Sequence, residues 1–506
     1  MGKYLVGIDE GTTGCKTCVF DIEGKLIGSD YREYPCYYPK PGWVEQRAED
    51  ITPALFDSCK AAIANSKIDP KEIIALGLSS QGSVTGPADK NGKLLRSFIG
   101  WQDLRGHEFK QEVESKISGE EFYNITGDPY SGVNFSINKI LWIRKNQPEI
   151  YEKTAMWTTH QDYFLREFGA EGYWTDLSSS SRTALMDVDR HVWSKKIMDL
   201  FGFDMIQHPK LAEGGQVVGK VPKQVSEKTG LPVGTPICAG AHDQNCSTFG
   251  CGAVQDGSCA MVLGTFGSCF VVSDKPVRDP NAALVVKGNV GPKNWTIEAF
   301  ANAAASSFRW YRDTFCELEK AAGRVLGVDP YILIDQEIEK APPGAHGITF
   351  LSYLQGAGGP RANGKAKGTF VGMTLGTTEA DMARAVMEGI CYEMRDIIEA
   401  QKRAGTKIKV IRLTGGGSKS PLWVQMQADI YQYPIQVLQT HETGCLGAAM
   451  YAGVGAGLYK SYQEAVDVAV HVSREFTPNT GVRGPYDEAY DRFVNTYKAL
   501  AAGGVF

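Results

Sequence analysis

Where an apolar strand runs into glycine and threonine, a chain can cradle phosphate, and Gly7-Ile-Asp9 runs into Glu10-Gly-Thr-Thr13 close to the N-terminus. Glycine permits the tight turn, and backbone N–H groups together with the hydroxyls of Thr12 and Thr13 can face phosphate oxygens. Asp9, at the strand end, offers the carboxylate oxygen that Mg²⁺ prefers, through water, and Lys16 adds positive charge nearby. A second polar turn, Gly264-Thr265, follows the apolar run Ser258-Cys-Ala-Met-Val-Leu263 roughly 250 residues later. Taken alone, either turn reads equally as an ordinary Gly/Thr-rich β-turn. Facing one another across a cleft, the two would clamp a triphosphate from both sides. A third cluster, Gly415-Gly-Gly417, lies between Ile408-Lys-Val-Ile-Arg-Leu413 and a helix starting near Pro421. Bare backbone there suits a flat nucleobase, although a plain strand-to-helix turn uses the same residues.

The candidate base is Asp243, in Pro236-Ile-Cys-Ala-Gly-Ala-His-Asp-Gln244, where an apolar strand ends in polar side chains. A carboxylate there can accept a proton from a hydroxyl as that hydroxyl attacks a γ-phosphoryl group. His242 beside it reads as a strand-end histidine making a hydrogen bond, since aspartate is the simpler base. Two other signals are set aside. Gly359-Pro-Arg-Ala-Asn-Gly-Lys-Ala366 has alanine where a P-loop needs Ser or Thr, and contains a proline, so it reads as a surface loop. Cys15 and Cys18 have metal-ligand spacing, but on a strand they point to opposite faces, and no second pair completes four ligands.

Elements must bring these residues together. The first 30 residues read as a three-stranded meander, and the block from Ser258 to Ser273 repeats its opening hairpin, which points to two related domains. Helical spacing covers Ala48–Ser66 and 136–144, with further helices expected over 299–315 and 379–401. Thr378-Glu-Ala-Asp381 has a capping-box pattern with Asp in place of Glu. Residues 71–80 read as a helix end followed by a buried strand. With 506 residues the chain exceeds one domain, and 57 glycines suit many tight turns. The expected class is α/β, two domains flanking a cleft. A net charge of −5 without a basic stretch argues against nucleic acid, and no apolar run is long enough to span a membrane. Twelve cysteines in no disulfide-like framework suit a reducing compartment, hence a cytoplasmic protein.

Many ordered blocks then resemble one family. They are Gly7-Ile-Asp-Glu-Gly-Thr-Thr13, Pro41-Gly-Trp-Val-Glu45, Trp101-Gln-Asp-Leu-Arg105, Thr126-Gly127 with Lys139, Thr175-Asp176 with Ser181-Arg-Thr183, Gly240-Ala-His-Asp243, Gly264-Thr265, Arg384-Ala385 with Glu388-Gly389, Leu413-Thr-Gly-Gly-Gly-Ser-Lys-Ser-Pro-Leu-Trp423 and Glu442-Thr-Gly-Cys-Leu-Gly-Ala-Ala449. Together they resemble the FGGY carbohydrate kinases, which include xylulokinase and glycerol kinase. The resemblance implies two ribonuclease-H-like domains of the actin-type ATPase superfold, with residues 1–253 binding mainly the sugar and 254–506 mainly the nucleotide. It implies ATP and Mg²⁺ as cofactors, a small sugar or polyol as partner, and is compatible with a homodimer. Asp243 would be the base, Asp9 the metal residue with Thr12, Thr13 and Lys16 serving the phosphates, and Gly264 and Thr265 would hold the β- and γ-phosphates. Gly415, Gly416, Gly417 and Ser420 would line the adenosine site, and Gln81, Ser83, Trp101, Asp103, Asp243 and Gln244 the sugar site. After Gln81, glycerol kinases carry Arg-Glu and typical xylulokinases Met-His, whereas this chain has Gly82-Ser83. The smaller side chains suggest extra room there, and with it a ketopentose such as xylulose. The alternatives are a polyol (erythritol, a pentitol or glycerol) and a non-kinase nucleotide switch of the same superfold.

Overall fold

Strands near the N-terminus differ in polarity according to their place in the sheet. In the computed structural model, which describes residues 3–129, 134–291 and 293–506, β1 (Tyr4–Glu10) is central and almost wholly buried. Strand β2 (Gly14–Asp21) follows it, and β3 (Leu26–Glu33) forms the edge, where Asp30, Arg32 and Glu33 meet solvent. With β4 (Ile73–Ser80), β5 (Val217–Lys220) and β6 (Pro236–His242) they make a six-stranded sheet of order β5-β6-β4-β1-β2-β3. Strands β1, β4 and β6 are mutually parallel and the others antiparallel to their neighbours.

The second sheet repeats this plan. It contains β7 (Ser258–Leu263), β8 (Gly267–Ser273), β9 (Val285–Gly288), β10 (Trp295–Ala301), β11 (Val410–Thr414), β12 (Ile435–Leu438) and β13 (Val472–Phe476), in the order β9-β10-β8-β7-β11-β12-β13. Here β7, β11 and β12 are the parallel trio. An antiparallel meander, two parallel strands and an antiparallel edge thus occur twice, the second time with one extra edge strand.

Helices that matter to the site are α1 (Ala48–Ser66), α2 (Leu177–Ser181), α3 (Asp243–Gly250), α4 (Glu379–Ala404), α5 (Pro421–Tyr431) and α6 (Thr443–Gly455). The capping box of α4 forms as the sequence suggests, Thr378 and Asp381 each bonding the other's backbone N–H. Helix α6 is buried all round its first eleven residues, so it is apolar on every face. It lies directly on the first sheet. A Cβ on Gly7 would come within 1.9 Å of the Cys445 carbonyl oxygen, and one on Gly77 within 2.0 Å of that of Ala448. Helices α3 and α6 cross equally closely, since a Cβ on Gly250 or Gly447 would stand 1.9 Å from the carbonyl of Thr443 or Cys246 respectively.

One expected helix begins later than its composition suggests. Residues up to Ala301 belong to β10, where Ala301 pairs with Gly267, and the helix occupies only Ala305–Phe315. Strand pairing overrides the helical preference of an Ala-rich stretch. Cys15 and Cys18 face opposite sides of the first sheet, in separate apolar clusters, as strand geometry requires. All twelve cysteines are free. The 359–366 stretch is a loop that opens with a 3₁₀ turn, Gly359–Arg361, pinned by a 2.5 Å ion pair of Arg361 with Asp396, and Ala366 at its end is buried. Among the described residues no helix is long and apolar enough to cross a membrane.

Candidate functional site

Three parallel strands of the first sheet end side by side, with Glu10 opposite Ser80 and Ser80 opposite His242. Asp9, Gln81 and Asp243 therefore gather at one edge, the carboxyl end where open α/β sheets bind ligands. Asp9 accepts a hydrogen bond from Ser79 Oγ at 2.6 Å. Burial, reinforced by the charges of Glu10 and Glu442, pushes its carboxyl up to about 6, against the opposing pull of Ser79 and Lys16. Lys16 itself is bonded to Glu442 Oε1 at 2.5 Å.

The hairpin that carries Asp9 is anchored from within. Buried Glu10 accepts from Tyr34 Oη at 2.9 Å and Gln81 Nε2 at 2.8 Å, and its other oxygen lies 3.0 Å from His160 Nδ1. Gln81 Nε2 and Tyr34 Oη also donate to the Gly11 carbonyl. The Thr12 carbonyl takes Gln46 Nε2 at 2.9 Å and the Cys36 thiol at 3.2 Å, and Trp101 Nε1 donates to Thr12 Oγ1 at 3.0 Å. The turn's carbonyl oxygens at Gly11 and Thr12 are thus engaged by protein, an arrangement that favours N–H groups and hydroxyls on the open side.

Asp243 opens α3. Its Oδ1 accepts the Gln244 N–H at 2.6 Å and lies 3.0 Å from His242 Nε2. Burial and then the charge of Asp9 push its carboxyl up to about 7, with Arg182 pulling the other way. Two neighbouring carboxylates, each raised, make an electrostatic vacancy for cations. Asp9, a hard oxygen donor beside the charges of Glu10 and Glu442, fits Mg²⁺.

At the matching edge of the second sheet, β7 and β11 end together, Val262 opposite Thr414. Gly264 is open: a Cβ there would meet nothing nearer than 3.8 Å. Gly415, at φ +87°, and Gly417 are closed in by Leu263, whereas a Cβ on Gly416 would touch only the Leu263 carbonyl oxygen at 4.0 Å. Gly416 is therefore the glycine of the three that presents bare backbone. Thr265 is exposed, its carbonyl taken by Ala304 N–H and Ser306 Oγ. Ser420 caps α5 by accepting from the Trp423 N–H at 3.1 Å, and donates to Asp335 Oδ2 at 2.6 Å.

Not every expected sugar contact is free to make one. Asp103 is fully buried, and both oxygens are taken, by Arg105 through its N–H, Nε and Nη2 and by the Val44 N–H at 2.6 Å. Ser83, at φ +56°, donates to the Arg182 carbonyl at 3.0 Å and its own carbonyl accepts from Lys139 Nζ. The extra room expected beside Gly82 is absent, because the His242 ring and Arg182 Cδ fill it. Gln81, by contrast, uses Nε2 on Glu10 and Gly11 and leaves its buried Oε1 without a partner among the described residues.

Residue type alone gives no hint of Ser79, Glu10, His160 or Glu442, which shape the site around Asp9. Their common signal is position: each sits within a residue or so of the end of a β-strand or the start of a helix. Arg182 and Glu298, buried and joined by Nη2 contacts of 2.9 and 2.7 Å, are likewise visible only in three dimensions.

Residues 4–250 match the FGGY family of carbohydrate kinases, N-terminal domain, and residues 259–456 its C-terminal domain. A xylulose kinase of Staphylococcus epidermidis is 30% identical over 499 residues, covering 98% of this chain and 97% of its own. A glycerol kinase of Thermococcus gammatolerans is 29% identical, covering 94% of each chain. The crystal structure of gluconate kinase from Lactobacillus acidophilus superposes with a TM-score of 0.90 at 26% identity, covering 99% of this chain and 98% of that one. The three names differ in sugar and agree in chemistry. With both halves of the chain matched, the chain belongs to the FGGY family of carbohydrate kinases, phosphotransferases with an alcohol group as acceptor.

Proposed function

We propose that this enzyme transfers the γ-phosphoryl group of ATP to a hydroxyl of a small neutral sugar, in first place a ketopentose such as xylulose. The observation that carries this reading is Asp243, held at the strand edge with its pKa raised to about 7 and facing the charge of Asp9. A base with a pKa near the working pH takes a hydroxyl proton efficiently. The two hairpins and Lys16 hold the triphosphate, with Gly264 and Thr265 on its far side and Gly416 against the adenine. Mg²⁺, held by Asp9 through water, supplies neutralisation of phosphate charge when bound. Gln81 offers its free Oε1 to an acceptor hydroxyl, and Trp101 and Gln244 border the same edge. We assign Asp103 to holding the Trp101 loop through Arg105, and Ser420 to capping α5, instead of direct ligand contact. Residues 1–253 serve the acceptor and 254–506 the nucleotide, in the cytoplasm, and a homodimer is compatible with this arrangement.

Charge favours a neutral acceptor over an aldonate. Arg182 is bonded to Glu298, Lys287 to Asp128, and Lys139 to the Ser83 carbonyl, with burial pulling the Lys139 ammonium down to about 7. A polyol (erythritol, a pentitol or glycerol) is the second reading, supported by the Trp101-Gln-Asp103 block. The nucleotide-switch alternative lacks any use for the Asp243 base. ADP release from Mg·ATP, measured against D- and L-ketopentoses, tetritols, pentitols, glycerol, hexoses and gluconate with Asp243→Asn as control, tests the reading. A ketopentose with the highest kcat/KM, abolished in the control, supports it. Glycerol or gluconate as best acceptor rejects the substrate class, and undiminished turnover by Asp243→Asn rejects the base.

A further inference from the structure

Gly82 and His242 meet because β4 and β6 end side by side. Ser80 pairs with His242, so residue 82 lies just beyond the end of the neighbouring strand. A Cβ on Gly82 would stand 2.4 Å from His242 Cδ2, and 2.8 Å from both His242 Nε2 and Arg182 Cδ. Real Cβ atoms do not approach so closely, and an imidazole wedged on a strand end cannot simply step aside. The backbone that carries the ring is fixed as well, the main-chain N–H of His242 donating to Ser178 Oγ at 2.9 Å, and Ser178 being bonded in turn to Asp176 at the start of α2. The front of the ring reaches Asp243: Nε2 is 3.0 Å from Oδ1, the oxygen that also accepts the Gln244 N–H. Oδ1 is thus occupied by the Gln244 N–H, with the imidazole set against it. Oδ2 has no hydrogen-bond partner among the described residues.

We propose that His242 is the positioning residue of the phosphoryl-transfer base: seated in the space that glycine at 82 leaves, its imidazole holds Asp243 by Oδ1 and presents Oδ2 to the acceptor hydroxyl. The inference rests on Asp243 being the base, and adds to that reading an atom, a supporting side chain and a reason for the glycine. In the step itself the acceptor O–H bond breaks and its proton passes to Asp243 Oδ2. The freed oxygen lone pair forms the new bond to the γ-phosphorus, and the bond from that phosphorus to the β–γ bridging oxygen breaks, its electrons leaving with ADP. His242 undergoes no net change. The pocket wall beside Gly82 is, by the same geometry, the edge of an imidazole delivered from residue 242.

Steady-state kinetics on the full-length enzyme, with the best acceptor of the panel, test this through four variants. His242→Ala should lower kcat by on the order of 10- to 100-fold, the scale of a misplaced catalytic group, with KM for ATP changed less than about twofold. His242→Gln, whose amide can reach the Nε2 position, should restore a large part of kcat. Gly82→Ala should reproduce the His242→Ala loss, because the added methyl displaces the ring. In the double variant Gly82→Ala/His242→Ala the second substitution should cost much less than it does alone, because the ring it would displace is gone. Two results overturn the inference: kcat of His242→Ala within twofold of wild type while Asp243→Asn is inactive, or Gly82→Ala and His242→Ala losses that simply multiply. An Asp243→Asn variant that keeps its turnover would instead remove the reading beneath it. Unchanged KM for ATP guards against a folding defect, and His242→Gln keeps the test open should the alanine variant fail to fold.

Discussion

Asp243 has a carboxyl raised to about 7 by burial and the neighbouring Asp9. As a base it must be ionised, so activity is present above its pKa and lost as the pH falls through it. The acid limb of kcat/KM should thus lie well above the ordinary carboxylate range, near neutrality, and initial rates from pH 5 to 9 check it. A limb near pH 4 would mean that another group carries the proton. At this scale the sequence is legible where a polar side chain ends an apolar strand, as at Asp9 and Asp243. It is not legible where a side chain is spent inside the protein. Asp103 looks as suitable for a sugar as Asp243, yet Arg105 two residues later takes its charge. The space beside Gly82 is filled from a strand 160 residues away, which no local pattern announces.

Elements were legible in proportion to their own periodicity and caps. Helix α1 spans the residues its spacing predicts despite Pro53, which sits in the second turn, and α4 starts at its capping box. Ala299 to Ala301 went the other way because a strand partner, not local preference, decides their state. The crossing of α3 and α6 was invisible, since it depends on which glycines lose their side-chain space to a backbone. Gly447→Ala should push the two helices apart and cost on the order of 1–3 kcal/mol, the scale of overpacking. Thermal melting against Gly119→Ala, a position where a Cβ would meet nothing within 4 Å, measures it. Equal melting of the two variants would show that the crossing yields easily.

The molecule as a whole is two copies of one strand plan clasped by buried charge. The duplication was legible as a repeated hairpin, while the clasp between the halves was not. Arg182 meets Glu298, and Lys287 meets Asp128 and the Ser181 carbonyl, all across the boundary between the halves. Removing one partner of a buried pair leaves an uncompensated charge, so Glu298→Ala should destabilise the enzyme by about 3–5 kcal/mol. Replacing both partners by apolar residues, Arg182→Met with Glu298→Leu, should recover much of that loss in a denaturant titration. The double variant should still be impaired in turnover, because Arg182 is a neighbour of Asp243. Full activity there would confine Arg182 to a structural role.

Of the twelve thiols, eleven are buried, and Cys36 alone is partly open, with its sulfur on the Thr12 carbonyl. A maleimide fluorophore should accordingly couple once per chain, and do so faster at alkaline pH, since burial and the Glu10 charge raise the Cys36 thiol pKa. The attached dye would sit beside the first hairpin, turning nucleotide arrival into an optical signal that needs no acceptor and no turnover.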